Sequence, residues 1–88
     1  MRIDLKIINE KGLHARASAK FVETVEAYDA DATVTKDGMG VGGDSIMGLM
    51  MLAASKDSEI TVETNGNQAD ALGYAIKRLV EDYFGEGK

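Results

Sequence analysis

The chain has no cysteine and no proline, a single histidine, and no apolar run long enough to span a bilayer. Without cysteine there are neither disulfides nor thiolate metal sites, so 88 residues must hold together around one small apolar core. With only one histidine as well, an ordinary zinc site, which takes three or four nitrogen or sulfur ligands, is excluded. The lack of proline leaves every helix and strand uninterrupted. Positive charge is scarce: ten Lys and Arg face fifteen Asp and Glu, a net charge of −5 and the wrong sign for a phosphate-backbone binder. The opening residues Met1-Arg2-Ile3-Asp4 lack the apolar run of a signal peptide, and nowhere do about 18 uncharged apolar residues follow one another. The expectation is a soluble, cytoplasmic protein with no nucleic acid, membrane, metal or cofactor among its ligands.

What remains has the balance of a folded domain, 44% hydrophobic and 28% charged, and its length suits one domain over residues 1–88. Arg2 to Ile8 alternate, with Ile3, Leu5 and Ile7 on one face of a half-buried strand. Ala17, Phe21, Val22, Val25 and Tyr28 then draw one stripe on a helix over about Ala15 to Ala27. Ala32 to Lys36 is rich in β-branched residues, Asp37-Gly38 suits a tight hairpin turn, and Met39 to Gly42 forms the return strand. Asp44 or Ser45 can cap a short helix from Ile46 to about Ala54. Ile60 and Val62 mark a fourth strand, stopped at Asn65-Gly66. Asn67 is expected to cap a last helix carrying Ala69, Leu72, Ile76, Leu79, Val80 and Tyr83, with Gly85 and Gly87 marking a frayed end. The order β-α-β-β-α-β-α is α+β, helices packed on one antiparallel sheet, and suits both a ferredoxin-like split βαβ unit and other open-faced sandwiches.

His14 stands between the first strand and the first helix, where unpaired backbone N–H groups and the helix dipole attract anions. A neutral imidazole is a usable nucleophile near pH 7, and the backbone N–H groups of Ala15 and Arg16 with the Arg16 guanidinium could bind a transferred dianion. The plain alternative is an exposed loop histidine with no role. Residues 11–22 contain no acid but hold Lys11, His14, Arg16 and Lys20, and residues 45–56 are acid-free too. By proportion about four acids would fall in those two windows, so an acidic protein carries two locally neutral or basic segments, unless short buried helices simply exclude charge. The second short helix is apolar on two sides: Leu49, Leu52 and Ala53 form one stripe, and Ile46, Met47 and Met50 a second that reads as core filler or as an adaptable docking patch.

Two other patterns carry little. Gly38 to Gly43 matches GxGxxG, with Glu63 about 20 residues on where a ribose-binding acid would stand. Its first glycine closes a hairpin and no parallel βαβ unit surrounds it, so these glycines read as a turn and bulges. Gly43-Asp44-Ser45 has no histidine or third group positioned for a serine nucleophile, and Ser45 reads as a helix cap where a phosphate would be tolerated.

Gly12-Leu13-His14-Ala15-Arg16-Ala17, followed by Ala19-Lys20-Phe21-Val22, resembles the active-site segment of HPr, the histidine-containing phosphocarrier family of the phosphoenolpyruvate-dependent phosphotransferase system. Ser45-Ile46-Met47-Gly48-Leu49-Met50 resembles that family's regulatory-serine helix, and the likeness covers the whole chain. It implies an open-faced sandwich of four antiparallel strands with three helices on one side, and a monomeric carrier rather than an enzyme. It further implies that phosphorylated enzyme I passes a phosphoryl group to Nδ1 of His14, that Arg16 binds its oxygens, and that an enzyme IIA domain receives it. Ser45 would be the target of an HPr kinase, and Ile46, Met47 and Met50 with Ala19 and Lys20 would dock partners. The sequence departs from the common pattern at Ala17, where proline usually stands, and at Asp44, whose charge opposes a phosphate on Ser45. Ala17 and the acidic balance are similar to the nitrogen-related, regulatory branch. The alternative function is a non-catalytic interaction module that works through the Ser45 helix and leaves His14 idle.

Overall fold

The alternating start of the chain forms β1 (Arg2–Lys6) in the computed structural model, which describes residues 1–88. Leu5 and Ile7 point into the core, while Arg2, Asp4 and Lys6 face solvent. The stripe that follows becomes α1 (Ala15–Glu26), burying Ala17, Ser18, Phe21, Val22 and Val25. β2 (Asp31–Lys36) and β3 (Met39–Gly42) are joined by Asp37 and Gly38, whose φ values of 50° and 82° give the two-residue turn that suits the strands' twist. α2 (Ile46–Met51) leads to β4 (Glu59–Asn65), which is followed by α3 (Ala69–Glu81) and a 3₁₀ turn at Tyr83–Gly85.

The four strands form one antiparallel sheet in the order β1-β4-β2-β3. The last strand in sequence thus lies at the centre, pairing Ile60 with Leu5 on one side and Val62 with Val34 on the other. Helices cover one face of this sheet, making the open-faced sandwich expected from the sequence. Eighteen buried apolar residues make one continuous core between the two layers, with Phe21, Leu49, Ile76 and Phe84 fully enclosed.

The structure corrects the sequence reading in four places. α2 ends at Met51, and Ala53 is exposed with φ +52°, so Ala54 and not Ala53 joins Leu49 and Leu52 in the core. Asn67 does not cap α3: its side chain donates to the Asp29 carboxylate at 2.9 Å, and the N-cap is Gln68, without a side-chain bond. Tyr83 falls outside α3 and is exposed, while Phe84 takes the core position. Nor is the end frayed. Tyr83 and Phe84 both adopt left-handed backbone (φ 58° and 53°), a conformation costing roughly 1–2 kcal/mol for a side-chain-bearing residue. Burial of the Phe84 ring, worth about 1.5–3 kcal/mol, offsets much of this and turns the chain back towards the start of α1. The GxGxxG match has no dinucleotide context: Gly43 lies against the sheet, where a Cβ would come within 2.9 Å of Ala32 Cβ.

Candidate functional site

The loop from β1 to α1 is fastened along its length. Ile7 exchanges backbone bonds with the segment before β4, donating to Ser58 O at 2.8 Å and accepting from Asp57 N–H at 2.7 Å. Asn9 is fully buried and its Nδ2 donates to Gly12 O at 2.9 Å. Gly12 has φ +64°, and a Cβ there would stand 2.3 Å from Ala54 O, so only glycine lets the loop lie this close to the segment that follows α2. Leu13 N–H then donates to Ala54 O at 2.9 Å. The two acid-free segments of the sequence are in this way joined edge to edge.

His14 occupies the N-cap position of α1 with extended backbone, and its carbonyl accepts from Ser18 N–H at 2.9 Å. Its side chain makes no capping bond. The first-turn N–H groups of Ala15, Arg16 and Ala17 therefore have no helical acceptor and form the positive end of a three-turn helix. Alanine at position 17 contributes one of these donors, which a proline would lack.

The His14 side chain is 26% exposed, and its Nε2 is hydrogen-bonded to Oε2 of Glu86. Nδ1 has no hydrogen-bond partner. The other Glu86 oxygen accepts from Asn9 Nδ2 at 3.0 Å. Burial pushes the Glu86 carboxyl up, but the hydrogen bonds from Asn9 and His14, with the charges of His14 and Lys20, outweigh it and hold the group below its usual value. Lys20 donates to Phe84 O at 2.6 Å, fixing the turn that carries Glu86. A cleft of about 270 Å³ opens beside this contact, lined by Lys11, Arg16, Lys20 and Lys88 together with Glu10, Glu86 and Gly85.

Across the Gly12 junction, α2 presents its second stripe outward. Met47 and Met51 are 72% and 66% exposed, and Ile46 and Met50 about two-fifths. Only Leu49 of this helix is buried. Ser45 caps α2, its Oγ accepting from Gly48 N–H at 2.9 Å. α1 packs beside α2, so half-buried Ala19 and Lys20 lie on the helix next to this apolar patch.

A family model described as the PTS HPr component phosphorylation site matches residues 1–82. The chain belongs to the HPr family. It is 47% identical over 89 residues to phosphocarrier protein HPr of Neisseria meningitidis, covering 100% of this chain and 99% of that protein. With HPr of Cupriavidus necator it shares 41% over 85 residues, 97% of this chain and 96% of the other. Among solved structures it is similar to HPr-C-His from Thermoanaerobacter tengcongensis, with a TM-score of 0.93, 34% identity, and coverage of 98% and 97%. HPr from Bacillus anthracis matches with a TM-score of 0.87, 35% identity, and coverage of 91% and 95%. Like other HPr proteins, the chain is a phosphocarrier and not an enzyme with its own turnover.

Within this HPr site, the sequence brought forward His14, Ala15 and Arg16, which the structure sets together at the head of α1, and Ser45, Ile46, Met47 and Met50, which it sets on the neighbouring helix. Three participants were not foreseen. Glu86 and Asn9 lie 72 and 5 residues from the histidine and read as a frayed end and a turn. The one available signal for Glu86 was the apolar Phe84 just before it, an anchor among polar and glycine residues. Met51, one residue past Met50, adds to the exposed patch beyond the predicted stripe.

Proposed function

We propose that His14 is the phosphoryl acceptor of this carrier. Phosphorylated enzyme I delivers the group to Nδ1, and an enzyme IIA domain removes it. The observation that carries this reading is a partly exposed imidazole at the head of α1, with Nε2 engaged and Nδ1 unpartnered beside unpaired N–H groups. A phosphoryl dianion on Nδ1 would meet the N–H groups of Ala15 and Arg16 and the positive end of the helix, and the exposed Arg16 guanidinium can close on its oxygens. Docking falls to Ile46, Met47 and Met50 of α2 with Ala19 and Lys20 of α1, an apolar patch with a lysine on the neighbouring helix. Flexible methionines suit weak, transient contacts with more than one partner.

Ser45 is the regulatory site in this reading. A phosphate there would sit in the docking patch and beside Asp44, so a kinase acting on it would impede docking rather than alter the histidine. Ala17 and the acidic balance favour service to a regulatory, nitrogen-related IIA domain over sugar uptake. Residues 1–88 act as one domain, consistent with their single core.

The test is phosphorylation by enzyme I and phosphoenolpyruvate, read by intact mass and phosphorus resonance. Wild type should gain one acid-labile, base-stable phosphoryl group, and His14→Ala none. A His14→Ala protein that still relays would overturn the assignment. No incorporation into wild type from an enzyme I shown active on another carrier, with partner binding intact in His14→Ala, would instead favour the interaction module.

A further inference from the structure

We propose that Met47, Met50 and Met51 of α2 form a site of reversible oxidation, where a hydroperoxide turns thioether into sulfoxide and a methionine sulfoxide reductase turns it back. The oxidised patch loses its hold on docking partners, a consequence that rests on the reading of α2 as the docking surface. The basis is a cluster of sulfur at the surface of a chain that has no thiol.

Positions 47, 50 and 51 are related as i, i+3 and i+4 and so neighbour one another on one face of the helix. Met47, Met50 and Met51 are 72%, 41% and 66% exposed, and none belongs to the core. Three of the chain's five methionines thus share one helix of six residues. The other two lie on other elements. Met39 is on β3 and exposed, while the half-buried Met1 sets its sulfur against Gly73 of α3. With no cysteine to react first, these thioethers are the oxidisable sulfur of the molecule.

The step is an oxygen transfer. A lone pair of the sulfur attacks the terminal oxygen of the hydroperoxide, the S–O bond forms, and the O–O bond breaks with its electron pair on the departing oxygen. That oxygen takes up the proton of the transferred one and leaves as water or an alcohol. Sulfur is oxidised by two electrons and the peroxide is reduced by two. In the return step a dithiol reductase removes the oxygen as water and is left as a disulfide. The chain has no thiol of its own that could reduce a sulfoxide, so each persists until a reductase meets it.

A sulfoxide is polar and chiral where the thioether was apolar and compliant. Its oxygen demands a hydrogen bond that an apolar partner surface does not supply. The fold does not share this cost. Leu49 alone of the α2 residues is buried, and the cap from Gly48 N–H to Ser45 Oγ involves none of the three sulfur side chains. Oxidation here changes what the helix can bind and leaves the helix in place. A carrier that moves between partners uncovers the patch in every free interval, which gives the oxidant its access.

The test treats three proteins with hydrogen peroxide, each compared with its own untreated form: wild type, Met39→Leu, and a variant carrying Met47→Leu, Met50→Leu and Met51→Leu together. Peptide mass mapping reports the order of oxidation, and titration with enzyme I reports affinity. In wild type, Met47 and Met51 should take oxygen before Met1, and affinity should fall about 10-fold, the scale of losing one buried methionine side chain. Methionine sulfoxide reductases with a dithiol should restore it, and thermal melts should move little. Met39→Leu should respond as wild type does, and the triple variant should keep its untreated affinity under peroxide. Oxidation of Met1 ahead of Met47 and Met51, an equal fall in the triple variant, or sulfoxides that the reductases cannot remove from the folded protein would each overturn the proposal. Met47→Lys, never oxidised, separates the two readings. If it binds enzyme I as wild type does, the docking reading and the consequence drawn from it fall together; if it weakens binding while full oxidation of wild type does not, the proposal alone falls.

Discussion

At Gly12 two demands meet in one residue: a left-handed backbone and an approach to Ala54 that no Cβ can share. Gly12→Ala should therefore lose about 2–4 kcal/mol, from the strained φ together with displaced backbone. Gly38 separates the two effects. Its φ is +82° but nothing lies within 4 Å of where a Cβ would be, so Gly38→Ala should cost only about 1 kcal/mol. Urea melts of the two variants against wild type give the comparison, and equal losses would mean that the close approach at Gly12 contributes nothing. A second readout follows from position. Only Gly12→Ala shifts the loop that carries His14, so only it should slow phosphoryl transfer.

Single elements carry similar local tensions. Just past the end of α2, Ala53 has φ +52° at the position where helices usually place glycine, and the residue is exposed. Ala53→Gly should stabilise the protein by about 0.5–1 kcal/mol, raising Tm by a few degrees in a thermal melt, since the left-handed strain is relieved and no packing is lost. The elements with strong periodicity were legible from the sequence: β1 from the alternation of Ile3, Leu5 and Ile7, α1 from Phe21, Val22 and Val25, the hairpin from Asp37-Gly38. So were His14 and Ser45, because a helix start has its own chemistry and both residues sit at one. What escaped depended on contacts distant in sequence. Nothing near Asn67 indicates that its amide is taken by Asp29, 38 residues away, and Tyr83 continues the α3 spacing so well that the backbone reversal placing Phe84 inward is invisible. Glu86 is one of fifteen acids, and only the fold singles it out.

For the molecule as a whole, the Glu86 contact links folding to pH. Its carboxyl is held below the ordinary glutamate value of about 4.3. Between that value and the lower folded one the unfolded chain binds more protons than the native state, so stability falls as pH falls. The contribution is complete above the unfolded value and lost as pH drops through the folded one. Urea melts from pH 6 downwards should show a constant gap between wild type and Glu86→Gln until about pH 5, then a gap that narrows with acid. A gap independent of pH would mean that Glu86 is not preferentially ionised in the folded protein. Acid should also loosen the Tyr83–Gly85 turn first, visible as faster amide exchange at Glu86.

The central place of β4 in the sheet gives the molecule a particular birth order. β1 and β2 cannot pair with one another, because each is bonded to β4, whose residues 59–65 are made 53 or more residues after β1 ends. Contacts of such long sequence separation slow folding. During synthesis at roughly 5–20 residues per second, His14 emerges several seconds before Glu86. The nascent chain must carry its histidine through that interval with no sheet behind the loop and no carboxylate on the ring. A ribosome-stalled chain ending before β4 is therefore a chain without a site, and the carrier becomes competent in a single late event.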